Sequence, residues 1–133
     1  MEYLLDTNTC IYIIKKNPPE VLEKFKTLSL GMVGISSITL AELQYGVMKS
    51  ANPRKNRLAL ERFAIPLDIL DFGYLQTIEY GKLRADLEGK GKPIGPMDMM
   101  IAAHALSLGA ILVTNNEREF QRVTGLKIEN WVI

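Results

Sequence analysis

Three acids in this sequence sit where solvation alone does not explain a carboxylate. Asp6 ends the apolar run Tyr3-Leu4-Leu5 and is followed by Thr7 and Asn8. Glu42 lies in Ile38-Thr39-Leu40-Ala41-Glu42-Leu43, at spacings that put it on one helical face with Ile38 and Tyr45. Asp98 is surrounded by Met97, Met99, Met100 and Ile101. A carboxylate on an apolar face is costly to bury unpaired, so each needs a hydrogen-bonding partner, a cation, or a place at the edge of its element. Each also has an ordinary structural reading: Asp6 beside a capping Asn8, Glu42 at a helix edge, and Asp98 in a first turn where the helix dipole favours an acid. Together they could hold a hard divalent cation such as Mg²⁺ or Mn²⁺, which takes oxygen ligands and keeps some of its waters. Such an ion activates water and offsets the charge of a phosphodiester transition state, so an Asp/Glu set without Cys or several His residues suggests phosphoryl chemistry.

The elements that must position these acids can be read from apolar periodicity and breakers. Tyr3-Leu4-Leu5 reads as a buried strand, with Asn8 capping a helix to about Lys16. Pro18-Pro19 starts a second helix, Glu20 to Leu28. Met32 to Ile35 is a strand, Ser36 and Ser37 are caps, and Ile38 to Met48 is a helix. A helix over Arg54 to Ala64, a strand over Leu67 to Leu70 and a long helix over Tyr74 to Glu88 follow. A glycine- and proline-rich loop then leads into an apolar helix, Met97 to Leu108, closed by Gly109. Ala110 to Val113 is a fourth strand, Asn116 opens a short helix through Phe120, and Leu126 to Ile128 is a weak fifth strand. The alternation predicts an α/β fold with a central, mainly parallel sheet of four to five short strands and helices on both sides. In such sheets functional groups gather at the carboxyl ends of the strands, where Asp6, Ser36 and Thr114-Asn115-Asn116 all fall.

Composition narrows the chemistry further. The chain has 133 residues, and a single domain over 1–133 is expected. One cysteine excludes an internal disulfide, and one histidine excludes a multi-histidine metal site. Cys10, in an apolar stretch, reads as an inert packed thiol, and His104, in the middle of an apolar helix, as a hydrogen-bonded core or edge residue. The net charge of +1 announces no global field for nucleic acid, so any such binding must come from a local patch. Lys90 and Lys92, just ahead of the Asp98 helix, are the first candidates, with Lys82 and Arg84 next. No apolar run is long enough to span a bilayer and the N-terminus has no signal-peptide pattern, so a cytoplasmic location is expected. Ile11, Tyr12, Ile14 and Phe25 on the first helices suggest an exposed apolar patch and hence a homodimer.

These residues and their order resemble the PIN-domain family, and within it the toxin ribonucleases of bacterial VapBC toxin–antitoxin pairs. The resemblance runs the length of the chain. It rests on Leu4-Leu5-Asp6-Thr7-Asn8, on Ser36 to Leu43 with Gly46, on Gly91 to Asp98 with Ile101-Ala102-Ala103-His104-Ala105, and on Val113-Thr114-Asn115-Asn116 with Glu119-Phe120. It implies a Mg²⁺- or Mn²⁺-dependent endoribonuclease with Asp6, Glu42 and Asp98 as metal ligands and Thr7, Asn8 and Thr114 in support. The family's fourth, often acidic position falls on Asn116, an amide that adds no charge. Glu119 matches an acid found nearby, and Asn116 with Glu119 also fits a helix capping box. Asn116 is therefore expected to cap its helix and to orient water near a single ion. The resemblance further implies a VapB-like antitoxin as partner, an RNA substrate and, from the enterobacterial-type members, initiator tRNA as target. A non-toxin RNA-processing nuclease of the same fold is the alternative. A haloacid-dehalogenase-like phosphatase would need a second Asp where Asn8 stands. A receiver domain would need an acidic pair after the first strand, with Asp68 or Asp71 after the third.

Overall fold

The first strand decides the architecture. In the computed structural model, which describes all 133 residues, Tyr3–Leu5 (β1) lies at the centre of a five-stranded sheet in the order β3-β2-β1-β4-β5. Its neighbours are Val33–Ser36 (β2) and Ile111–Val113 (β4), with Asp68–Leu70 (β3) and Ile128–Glu129 (β5) at the edges. Every pairing is parallel. Seven helices fill the crossovers: α1 (Thr7–Lys15), α2 (Pro19–Lys26), α3 (Ser37–Lys49), α4 (Pro53–Ala64), α5 (Tyr74–Gly89), α6 (Pro96–Leu108) and α7 (Glu117–Phe120).

Strands this short are held because both faces are covered, and alternation sends successive side chains to opposite layers. Leu4 and Leu112 enter one core with Leu83 and Leu87 of α5 and Ile101, Ala102 and Ala105 of α6. Leu5 and Val113 enter the other with Ile13 of α1, Val21 of α2, Leu43 and Val47 of α3, and Leu60 and Phe63 of α4. Between β1 and the edge, Gly34 is required by space. A Cβ there would come within 2.6 Å of the Met1 sulfur and 2.9 Å of the Asp68 carbonyl oxygen. Gly109 ends α6 at φ 64°, the left-handed conformation that lets the chain turn directly into β4.

The predicted elements and the parallel sheet are all present, and helix and strand ends shift by one or two residues. The apolar side chains expected to lie exposed on the first helices are only partly so. Ile11, Tyr12, Ile14 and Phe25 are half-buried against the α1–α4 core, because α1 and α2 fold onto α3 and α4. The more exposed apolar side chains are spread over other elements, among them Tyr45 and Met48 on α3, Leu58 on α4 and Tyr74, Leu75 and Ile78 on α5. No helix is long and apolar enough to cross a membrane.

Candidate active site

Asp6 leaves β1 and immediately becomes the N-cap of α1. Its Oδ1 accepts from the Thr9 backbone N–H at 2.8 Å, and the Thr114 hydroxyl donates to the same carboxylate. Thr9 Oγ1 in turn donates to the Val113 carbonyl at 3.2 Å, tying the first turn of α1 to the end of β4. Asp6 is 4% exposed. Burial lifts its carboxyl above the ordinary carboxylate range and the Glu42 charge adds to that, while the hydrogen bonds from Thr114 and Thr9 draw it down.

The other acids come from helix starts. Glu42, in the second turn of α3, accepts a hydrogen bond from Thr7 Oγ1 at 2.6 Å. Pro96 is the first residue of α6, which places Asp98 in its first turn. Asp98 is half-buried, and its pKa is pushed up to about 6, by burial first and then by the charges of Asp6, Glu119 and Glu42. Four acids from α1, α3, α6 and α7 therefore act on one another across one edge of the sheet. None is neutralised by the protein: the ion pairs are Lys26–Glu23, Arg84–Glu88 and Lys90–Asp86.

This donor set fits a hard divalent cation in chemistry: all-oxygen, anionic, and short of counter-charge. The side chains do not close on a common point in these rotamers, and no three of them form a ready cage. Each has a local partner instead, Thr9 for Asp6, Thr7 for Glu42 and Asn116 for Glu119.

Two capping expectations are corrected. Asn8 does not cap α1; it lies exposed inside the helix, and Asp6 takes the cap because its extended backbone ends at the helix start, where the Thr9 N–H has no carbonyl partner. Asn116 stands at the N-cap position of α7 but makes no side-chain cap hydrogen bond. Its amide Nδ2 donates to Glu119 Oε2 at 3.1 Å, and its own N–H is held by Thr114 Oγ1 at 2.9 Å. The amide is turned so that Nδ2 donates to the Glu119 carboxylate, and in this orientation its Oδ1 meets no backbone N–H of the helix. The face assigned to Glu42 also differs. Tyr45 is 66% exposed, and the buried face of α3 is Thr39, Leu43 and Val47.

Ser36 caps α3 through Ile38 N–H at 3.0 Å, whereas Ser37 is already helical and accepts from Phe72 N–H. His104 is fully buried, its Nδ1 2.8 Å from Ser36 Oγ, and burial lowers its pKa. Cys10 is buried and its thiol is pushed well up by that burial, a packed and unreactive group. Of the basic candidates, Lys92 is exposed directly ahead of α6, and Lys90 pairs with Asp86 at 2.9 Å. Lys82 and Arg84 lie on the exposed side of α5, and Arg84 is held by Glu88 and Tyr80. Asp68 and Asp71 are exposed on the edge strand β3 and just after it, two strands from β1, and do not join Asp6 as a receiver site requires. Thr9 was not singled out from the sequence; its position three residues after a strand-ending Asp is the signal that identifies it.

With this geometry established, comparison with known proteins places the chain. The PIN domain family model matches residues 3–126. The chain is 47% identical over 131 residues to the tRNA(fMet)-specific endonuclease VapC of Shigella flexneri, covering 98% of each. It is 48% identical over 132 residues to ribonuclease VapC2 of Haemophilus influenzae, covering 99% of each. It superposes with TM-score 0.94 on a chain from the crystal structure of VapBC2 from Rickettsia felis bound to a DNA fragment from its promoter, at 46% identity and covering 99% of this chain and 100% of that one. A parallel sheet that gathers acids at its carboxyl edge, matched along almost its whole length, makes this chain a member of the PIN domain family, in the branch of the VapC ribonucleases.

Proposed function

We propose that this protein is a metal-dependent endoribonuclease, the toxin of a toxin–antitoxin pair, which cleaves initiator tRNA and is restrained by a VapB-like antitoxin. The observation that carries the reading is that Asp6, Glu42, Asp98 and Glu119 come near enough for their charges to act on one another, with no cation of the protein's own among them. Asp6, Glu42 and Asp98 are the residues that would hold Mg²⁺ or Mn²⁺. When bound, such an ion polarises the phosphodiester and lowers the pKa of water. The chain's own part is positional. Thr9 and Thr114 fix Asp6 in one orientation, Thr7 fixes Glu42, and Asn116 directs Glu119. Asp98, its pKa raised to about 6 by burial and by the neighbouring acids, would be held ionised once a cation sat among them.

A cleft of about 420 Å³ between α1, α3 and α4 supports the antitoxin part of the reading. Ile11, Ile14, Leu43, Val47 and Leu60 line it and Glu42 stands in its wall. An extended peptide with apolar anchors fits it, and an Arg or Lys on that peptide would meet the acids. The homodimer and the cytoplasmic location expected from the sequence belong to the same proposal.

The test is cleavage of purified initiator tRNA beside an elongator tRNA, with Mn²⁺ or Mg²⁺ and then with EDTA. Cleavage of the initiator alone, abolished by EDTA and by a VapB-like partner, is the expected result. Undiminished cleavage in EDTA refutes the metal-dependent site.

A further inference from the structure

The chain's net charge is only +1, yet its cations are not evenly spread. An open cleft of about 600 Å³ lies between the loop Lys90–Pro93 and the helix α7 with the residues just after it. Lys90, Lys92, Arg118 and Arg122 line it, with Gln121, and no acid or large apolar side chain does. A lining of this kind excludes an apolar ligand or a cationic peptide and suits a polyanion.

The cleft is braced from both sides. Arg122 Nη1 donates to the Pro93 carbonyl at 3.1 Å, and Lys90 Nζ donates to Thr124 Oγ1 at 3.2 Å. Lys90 is also offset by Asp86. Lys92 and Arg118 have neither an ion pair nor a hydrogen bond to the protein and are exposed, so their charge is free for a ligand. The two walls are also the two elements that carry site acids. The loop runs directly into α6 and Asp98, and Arg118 immediately precedes Glu119, whose charge acts on Asp98. An anionic chain crossing the acids is therefore led onto these cations at the α6–α7 side.

We propose that the cleft formed by Lys92, Arg118 and Arg122 is a phosphodiester-binding track that holds the RNA backbone beside the cleavage site, without reading bases. The inference rests on the ribonuclease reading above. Guanidinium groups match phosphate oxygens bidentately and a lysine adds a point charge, so the track positions the strand and leaves sequence selection to other contacts. Lys82 and Arg84 on α5 lie outside it.

The test compares the full chain with Lys92→Gln/Arg118→Gln and with a control of equal charge loss, Arg54→Gln/Lys55→Gln on α4, all in an Asp98→Asn background that binds without turnover. Fluorescence anisotropy follows a labelled RNA stem-loop across salt. Between ~50 and ~200 mM salt the parent should lose about tenfold more affinity than the cleft variant, the share of two phosphate contacts, while the control follows the parent. In the otherwise native chain the same double substitution should raise KM and leave kcat unchanged. Equal salt slopes in parent and cleft variant, or an equal change in the control, overturn the track. A loss confined to a DNA duplex of the same length overturns its assignment to RNA. RNA binding is read without turnover, so a failure of the wild type to cleave any RNA counts against the ribonuclease reading alone.

Discussion

One helix carries two ionisable groups that the fold treats in opposite ways. His104, in α6, is 1% exposed, hydrogen-bonded to Ser36 Oγ and edge-on to the Phe72 ring at 5.6 Å. It is kept neutral by burial, and its polar atom has a partner. Asp98, in the first turn of the same helix, is half-exposed and faces Asp6, Glu119 and Glu42. The first arrangement stabilises the fold. The second costs stability, because each charge makes the others harder to ionise. A titratable residue on an apolar helix is therefore diagnosed by what surrounds it: a neutral partner marks architecture, and several like charges mark a site.

The largest contrast should come from exchanging stability for activity. Asp98→Asn should lower cleavage at least about a hundredfold, as expected when a group acting on the transition-state charge is removed. In metal-free buffer it should make the protein more stable, because it removes one of four mutually repelling acids. His104→Ala should do the reverse. It should cost about 3 kcal/mol through the cavity left in the core while cleavage per folded molecule stays within about threefold. Urea denaturation in EDTA, paired with single-turnover cleavage, checks both. An Asp98→Asn protein destabilised as much as His104→Ala would erase the distinction.

A second, intermediate effect is pH dependence. Asp98 holds its proton in the folded state up to about 6 but releases it near 3.8 when free. Between those values the native state binds more protons than the unfolded state, so stability must fall as pH rises through the window and then level off. Melting in EDTA across this range, as the difference between wild type and Asp98→Asn, should show that fall. Mn²⁺ should reverse it by replacing the proton. A wild type that gains stability relative to Asp98→Asn over the same window would contradict the repulsion.

The smallest effect expected is at Asn116. Since its side chain makes no cap hydrogen bond, Asn116→Ala should cost well under about 1 kcal/mol. Cleavage should drop several-fold because Glu119 loses its tether. The two residues should then be coupled: in a Glu119→Gln background the further loss on Asn116→Ala should largely vanish. Full additivity would separate Asn116 from Glu119.

Much of this molecule was legible before any coordinates. Short apolar runs pointed to strands covered on both faces, and their alternation with helical periods to a parallel sheet with helices on both sides. Asp6 and Asp98 announced themselves because strand ends and first turns are local features of sequence. The apolar context of His104 pointed correctly to the core, although its partner Ser36 is distant in the chain. Misreadings arose where two local solutions compete. Asn8 and Asp6 can each cap α1, and the choice fell to Asp6, whose extended backbone directly precedes the helix and faces the first-turn N–H groups that no carbonyl satisfies. Asn116 can bond to the backbone or to Glu119, and its amide is turned to the carboxylate. The apolar side chains of α1 and α2 are less exposed than they looked because α3 and α4, which pack partly over them, come from a remote stretch of the chain.

What the sequence by itself determined is the set of elements and the chemical character of the site: apolar periods, breakers and an all-oxygen donor set are written in the order of residue types. The strand order was left to the tertiary structure. It brings β1, β2 and β4 side by side and so collects acids separated by as much as the length from Asp6 to Glu119. It also decided which charges remain free. Arg84 and Lys92 are each a single positive charge in the sequence, yet one is held by Glu88 and Tyr80 while the other stands unpaired at the mouth of a basic cleft. The physical reason is that Coulomb interactions and desolvation depend on distance through space and on exposure to water, and chain order specifies neither until the fold has closed.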